Sequence, residues 1–242
     1  PFIHADNQTL YFTSNGWPGM GNGDVFVARK ADSGWTKAVN IGYPINTEND
    51  DNGMSVSYDG RTAFLSSSRA GGFGGLDIYS FELPTAAQPK KITYIKATVR
   101  DAKTKQLLNA AYSVLDLDSK QETYKGNTPA GTFFVSIEAS RNYALQVQKE
   151  QYLFYSQNIN LKEINSQQKP YELEILLEPI ATNNKITLNN VFFDFDKSEL
   201  DAVSFLELDK VVELLQKNPT LKIEISGHTD IKGDKKYNQT LS

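Results

Sequence analysis

Cysteine is absent from the 242 residues of this chain, and histidine, methionine and tryptophan occur only twice each. Without cysteine there is no disulfide, no thiolate nucleophile, no Cys-ligated zinc and no iron–sulfur cluster. No apolar run reaches the roughly 18 residues that a membrane-spanning helix needs. The formal net charge is -4 and no dense run of lysine and arginine occurs, which argues against a nucleic-acid-binding protein. The length suggests about two domains, or three small ones.

An internal repeat occupies the N-terminal part of the chain. Residues 6–14 (DNQTLYFTS) return as residues 59–67 (DGRTAFLSS), an offset of 53 residues that also relates Asp24 to Asp77. Each copy has two short β-rich runs separated by a Gly/Asn/Asp turn, which predicts a propeller-like repeat of strand pairs. Because propellers close with about 4 to 8 blades, we expect further blades to be missing from this chain.

The repeated residues resemble the blades of Tol-B-like bacterial propellers. Residues 74–79 (GGLDIY) match the Gly-Gly-x-Asp-Ile-Tyr pattern of those blades, and residues 59–67 match their Asp-Gly-Arg-Thr pattern. The resemblance implies that residues 1–84 are the last two repeats of a β-propeller. The resemblance to these propellers implies no catalytic residues.

Between residues 90 and 180 the sequence contains strand patterns alone. Alternating apolar residues begin with Ile95, Ala97 and Val99 and continue in the segments 112–117, 133–137, 143–147 and 171–177. Several short strands without a helical period predict a small β-sandwich. The order of residues 98–101 (TVRD), 131–133 (GTF), 143–145 (YAL) and Tyr152 resembles the carboxypeptidase regulatory-like domain. That resemblance implies such a domain at 90–180.

The last segment, 184–242, combines strands with a helix. Residues 186–193 have a strand pattern, and Ser198 begins a helix with capping-box spacing to Asp201. An apolar stripe extends this helix to Asn218-Pro219, and residues 221–225 alternate as a second strand. The segment therefore predicts a βαβ unit with a right-handed crossover. The expected fold class is multidomain: all-β propeller blades, a β-sandwich and an incomplete α/β domain, with the chain truncated at both ends.

Polar motifs flank the predicted helix on both sides. Residues 193–198 read FDFDKS, residues 227–230 read GHTD, and Asn238 follows; Asp196 and Asp230 are 34 residues apart, and Asp230 and Asn238 are 8 apart. These motifs and spacings resemble the OmpA-like peptidoglycan-binding domain. We therefore expect residues 184–242 to belong to that kind of domain.

The resemblance implies a ligand, the diaminopimelate of the peptidoglycan stem peptide. Its free end carries an ammonium and a carboxylate, so a recess for it needs a fixed carboxylate and hydrogen-bond donors. Asp230, just past a predicted strand, takes the ammonium-binding role by resemblance, and its position is one where ligands collect in α/β sheets. The family's carboxylate-binding arginine would fall beyond Ser242. The implied peptidoglycan-binding residues are Asp230, Thr229, Asn238, Asp196, Phe195 and Asp194.

Simpler structural roles remain open for these residues. Asp230 is also typical of a residue that caps a turn, and Asn238 of one that caps a helix. Asp194 is as consistent with orienting its loop as with binding, and we expect His228 to be structural rather than a zinc ligand. No nucleophile motif or paired-carboxylate cleft is visible, so we expect no enzyme activity, no metal and no cofactor.

The order of the three regions resembles the PorE family, a cell-wall component of the type IX secretion system of Bacteroidetes. The resemblance implies a non-catalytic periplasmic protein associated with the outer membrane, a lipoprotein in its full-length form, that anchors secretion-system proteins to peptidoglycan. One alternative is a propeller-based interaction scaffold whose OmpA-like domain is only a spacer. Another is a propeller hydrolase whose nucleophile and base precede this chain.

Overall fold

A computed structural model of the chain describes residues 1–161, 171–193 and 197–227. These residues form two compact units. The first contains Pro1–Ile95 and Phe134–Ala139, and the second contains Lys96–Phe133 and nearly all the described residues from Ser140 onward. The chain is rich in β-structure, with several separate sheets and one α-helix in its described part.

Two antiparallel sheets make up the N-terminal repeat region. The first sheet contains β1 (Phe2–Ile3), β2 (Thr9–Ser14), β3 (Asp24–Ala31), β4 (Gly34–Trp35) and β5 (Val39–Asn40). The second contains β6 (Asp51–Val56), β7 (Thr62–Ser67) and β8 (Asp77–Glu82). The bounds of β2 recur in β7, and the start of β3 recurs in β8, at the 53-residue offset seen in the sequence. The described residues form these two open sheets and no closed ring.

The repeated aspartates hold the repeated turns. The carboxylates of Asp24 and Asp77 each accept a hydrogen bond from the backbone N–H four residues earlier, at 3.0 and 2.8 Å. A side chain at Gly19 or Gly72 would collide with the carboxylate of that repeat. The glycine and the aspartate are therefore required together, because the loop closes over the carboxylate.

The central part of the chain forms two further sheets. A four-stranded sheet has the order β11-β10-β13-β14, and a three-stranded sheet has the order β12-β9-β15. Their strands are β9 (Ile92–Asp101), β10 (Ala111–Asp116), β11 (Gln121–Asn127), β12 (Thr132–Glu138), β13 (Asn142–Gln148), β14 (Tyr155–Asn160) and β15 (Tyr171–Leu177). Ile95, Ala97 and Val99 are all buried, as their alternation predicts. The rings of Tyr112 and Phe133 stack with centroids 4.1 Å apart, joining one sheet to the other.

The C-terminal region contains α1 (Ser204–Lys217). The prediction of strands at 186–193 and 221–225 is not met: the described residues of these segments form no regular strand, apart from one isolated bridge at Phe193. A strand needs a neighbour for its backbone hydrogen bonds and a surface to cover its apolar side chains. Ile223 and Ile225 have no such cover, since both are exposed. The predicted βαβ unit is thus reduced to its helix in the described residues.

Candidate functional site

The six predicted peptidoglycan-binding residues lie outside the described residues. Asp194, Phe195 and Asp196 fall in segment 194–196, and Thr229, Asp230 and Asn238 fall in segment 228–242. The adjoining residues, 192–193 and 197–227, are described and supply the frame of the candidate site.

Phe192, the residue before the FDFDKS motif, is hydrogen-bonded to the start of α1. The backbone N–H of Phe192 donates to the hydroxyl of Ser204 at 2.8 Å, and that hydroxyl donates to the Phe192 carbonyl at 3.1 Å. Phe193 forms an antiparallel bridge with Leu200. These contacts hold Phe192 against Ser204 and Phe193 against Leu200.

The helix begins later than the sequence predicts. The predicted start was Ser198, whereas α1 begins at Ser204. The bridge to Phe193 keeps Leu200 extended, and the carboxylate of Asp201 accepts a hydrogen bond from the Val203 N–H at 3.0 Å. Asp201 thus forms a turn ahead of the helix, because its side chain competes for backbone donors there. The predicted end is correct, since α1 stops at Lys217 before Asn218-Pro219.

Helix α1 packs its first turn against the four-stranded sheet of its own unit. A small apolar cluster joins the two elements, and it contains Leu115, Leu117, Ala144 and Val203 with Phe192 and Leu206 at its edge. Burial of these side chains stabilises the contact by removing apolar surface from water. The described residues that adjoin the candidate site are therefore packed against the four-stranded sheet.

A buried glutamate lies beside this apolar cluster. Glu207 is fully buried, and its Oε2 atom accepts hydrogen bonds from the Ser156 hydroxyl at 2.7 Å, from Gln146 Nε2 at 3.1 Å and from Asn190 Nδ2 at 3.3 Å. Oε1 of Glu207 is buried without a hydrogen-bond partner in the described part of the chain. Glu207 is not among the residues that the sequence pattern predicts to be functional. Its position four residues after the buried Val203, on the same side of the helix, is the signal that identifies it.

Removing the Glu207 acceptor is expected to destabilise this unit. Glu207→Leu would leave three donors without their acceptor, so we expect the free energy of unfolding to fall by about 1–3 kcal/mol. Glu207→Gln keeps one oxygen acceptor and should cost less. Urea denaturation of both variants measures the difference, with Asp209→Asn as the control because Asp209 is exposed on the same helix. Equal stability of Glu207→Leu and the unmodified chain would contradict this assignment.

Metal-binding clusters and membrane-spanning helices were also looked for in the described residues. Over ranges 1–161, 171–193 and 197–227, no group of three histidine, aspartate or glutamate side chains could hold a metal ion. Within the same ranges, no helix has the length and hydropathy needed to cross a membrane.

Comparisons with known proteins match the C-terminal segment to a family. Residues 192–242 match the OmpA family. Outer membrane porin F of Pseudomonas fluorescens is 36% identical over 64 residues, which is 26% of this chain and 19% of that protein. Outer membrane porin F of Pseudomonas aeruginosa is 36% identical over 53 residues, covering 22% of this chain and 15% of that protein. The chain thus spans less than a fifth of either relative.

Among solved structures, the group B streptococcus pilus 2b backbone protein aligns over 72% of this chain and 79% of its own. The sequence identity is 10% and the TM-score is 0.32. A score this low does not establish a common fold. The residues that match the OmpA family include the FDFD and GHTD motifs.

Proposed function

We propose that this chain is a non-catalytic cell-envelope protein that binds the stem peptide of peptidoglycan through its C-terminal segment. The observation that carries the proposal is the OmpA-family match over residues 192–242, which contains all six predicted binding residues. The relatives named as outer membrane porins support a location at the outer membrane and periplasm.

The chemistry of the motif suits a ligand with a free ammonium and a carboxylate. Asp230 supplies a carboxylate for the ammonium of diaminopimelate, and Thr229 and Asn238 supply hydrogen-bonding groups. A few charge-assisted bonds of this kind give reversible binding, because much of their gain is offset by lost hydration. Reversible attachment is sufficient for a protein that stays close to the wall.

The proposed role of the rest of the chain is to hold protein partners. The two repeat sheets, as blades of a propeller, and the central sheets, as a regulatory-like sandwich, would bind outer-membrane proteins of the type IX secretion system. The C-terminal segment would then anchor that complex to the wall. This finer proposal is supported by the order of the three regions along the sequence.

Sedimentation with purified sacculi tests the proposal. The chain is expected to sediment with intact sacculi and to stay in the supernatant with sacculi whose stem peptides have been removed by an amidase. Free diaminopimelate should release the bound chain, since it competes for the same carboxylate. A chain that remains in the supernatant with both preparations would support the alternative of a scaffold with a spacer domain. Equal sedimentation with both would indicate binding to glycan.

A further inference from the structure

Two loops of the first unit emerge at the same end of its sheets. The first loop, residues 15–23, connects β2 to β3, and the second loop, residues 68–76, connects β7 to β8. Gly23 of the first loop forms a bridge with Asp50, and the backbone N–H of Ser68 in the second loop donates to the Asp50 carbonyl at 3.2 Å. The bases of the two loops therefore meet at Asp50.

Each loop presents an apolar side chain at the same position of the repeat. Met20 in the first loop corresponds to Phe73 in the second at the 53-residue offset, and each lies between two glycines. Met20 is 52% exposed and Phe73 is fully exposed, and Trp17 and Leu76 are exposed in the same loops. The loops contain one charged residue, Arg69, and its guanidinium is paired with a buried aspartate. We call Met20 and Phe73 the tip residues.

The turns fix the backbone of the tip residues. The N–H of Met20 donates to Oδ2 of Asp24 at 3.0 Å, and the N–H of Phe73 donates to Oδ2 of Asp77 at 2.8 Å. Polar residues and glycine serve such turns well, so the turn itself does not require an apolar residue at its tip. Apolar residues that are exposed together mark a surface that contacts another protein or a membrane.

A neighbouring repeat does not cover the tip position. The second sheet packs on the Tyr11 face of the first sheet, and Met20 is still exposed. The first sheet packs on the Ala63 and Leu65 face of the second sheet, which is the opposite face of the repeat, and Phe73 is still exposed. The tip position therefore stays open with a repeat on either side of it.

The character of the loops favours a phospholipid bilayer as the partner. The tip position keeps an apolar residue but not a ring, whereas stacking on a sugar needs a ring in both repeats. Acyl chains adapt to single apolar residues that protrude between glycines, whereas a protein would need a separate pocket for each. Trp17 suits the boundary between headgroups and acyl chains. Glu48, whose backbone lies against Gly21, is exposed and would be repelled by anionic lipid.

We propose that the two loops insert Met20 and Phe73 into the surface of a bilayer of zwitterionic phospholipid. Burial of the tip residues among acyl chains drives the contact, and the inward-facing Arg69 leaves no charge of the loops to be desolvated. Because few side chains are inserted, binding is reversible. This contact is separate from the proposed binding of peptidoglycan, which belongs to the C-terminal segment.

Quenching of tryptophan fluorescence by brominated lipid tests the proposal. The chain has two tryptophans, Trp17 in the first loop and Trp35, which pairs with Lys30 near the other end of β3. Trp35→Phe leaves Trp17 as the reporter, and Trp17→Phe leaves Trp35. With vesicles of phosphatidylcholine brominated on its acyl chains, we expect quenching in Trp35→Phe and none in Trp17→Phe.

A second substitution in the Trp35→Phe chain tests the tip residue itself. Phe73→Ser removes one of the two inserted side chains, so half-maximal quenching should need about tenfold more lipid. Phe205→Ser is the matched control, because Phe205 is exposed on α1 and outside the loops, and it should leave the lipid titration unchanged. Circular dichroism checks that each variant is folded.

Three results would overturn the proposal. Absence of Trp17 quenching at high lipid concentration would assign the loops to an apolar pocket of a protein partner instead. Equal quenching of Trp17 and Trp35 would show adsorption without a preferred surface. Equal weakening by Phe73→Ser and Phe205→Ser would show that the tip residues are not the inserted group.

Discussion

Replacing Asp51 by alanine is expected to lower the free energy of unfolding of the first unit by about 3 kcal/mol. The Asp51 side chain is fully buried, and its Oδ1 atom lies 2.7 Å from Arg69 Nη2. The Ser67 hydroxyl donates to Oδ1 at 2.6 Å, and the Thr47 N–H donates to Oδ2 at 2.6 Å. Alanine would remove the acceptor for all of these donors and leave the guanidinium without its counter-charge.

The contribution of Asp51 depends on pH in a defined direction. Burial raises the pKa of this carboxyl, but hydrogen bonds from Ser67, Arg69 and Thr47 outweigh burial and hold the pKa below its usual value. An aspartate in an unfolded chain has a pKa of about 3.9. The stabilisation is therefore fully present above about pH 4 and is lost as the pH falls through the lower pKa of the folded state. The difference between the unmodified chain and Asp51→Ala should narrow in acid.

Urea denaturation at neutral and at acid pH measures both effects. Glu48→Ala is the control, because Glu48 is exposed three residues away and its removal changes the net charge by the same amount. We expect Glu48→Ala to stay within about 0.5 kcal/mol of the unmodified chain. A loss of similar size in both variants would mean that the buried pair is not the source of the stability.

The repeated strands of the N-terminal sheets could be predicted from the sequence because the same strand pattern occurs in both copies of the repeat. A turn residue such as Asp24 or Asp77 is ambiguous alone, but its recurrence in register fixes both the turn and the strand that follows it. Which face of each sheet is covered does not follow from the pattern. Phe64 and Tyr11 occupy equivalent positions of the repeat and both are aromatic, yet Tyr11 is buried and Phe64 is exposed.

The strands β11 and β14 were missed because both are edge strands of largely polar sequence, unlike the edge strands β12 and β15, whose apolar residues made them predictable. Each lies at one end of the four-stranded sheet, and their sequences, QETYKGN and YSQNIN, are largely polar. An edge strand contacts one neighbour only, so its side chains do not need the apolar alternation that identifies a central strand. These segments form strands because β11 hydrogen-bonds to β10 and β14 to β13. The sequence of a segment does not by itself show which strand it will pair with.

Glu207 shows why the candidate site could be predicted only in part. A glutamate in a helix is normally expected on the solvent side, since burying it requires donors from elsewhere. Gln146, Ser156 and Asn190 supply those donors from segments 17 to 61 residues away in the sequence. Family resemblance identifies the motifs that border the helix, but it does not identify this network.

Replacing Asp230 by alanine is expected to weaken binding of a diaminopimelate-containing muropeptide severely, because the ammonium would lose the carboxylate that the resemblance assigns to it. Losing one charge-assisted hydrogen-bonding partner costs roughly 1.5–3 kcal/mol, which corresponds to about a tenfold to hundredfold loss of affinity. Titration calorimetry of the full chain measures this loss.

Two further titrations separate the role of the Asp230 carboxylate from the effect of net charge and from a role in the turn. Asp209→Ala removes the same charge from an exposed position on α1, so it should bind like the unmodified chain. Asp230→Asn keeps a turn-capping oxygen but not the negative charge. If Asp230 binds the ammonium, asparagine should fail as alanine does. If the aspartate only shapes the turn, asparagine should restore binding, and the ammonium must then be bound by another residue.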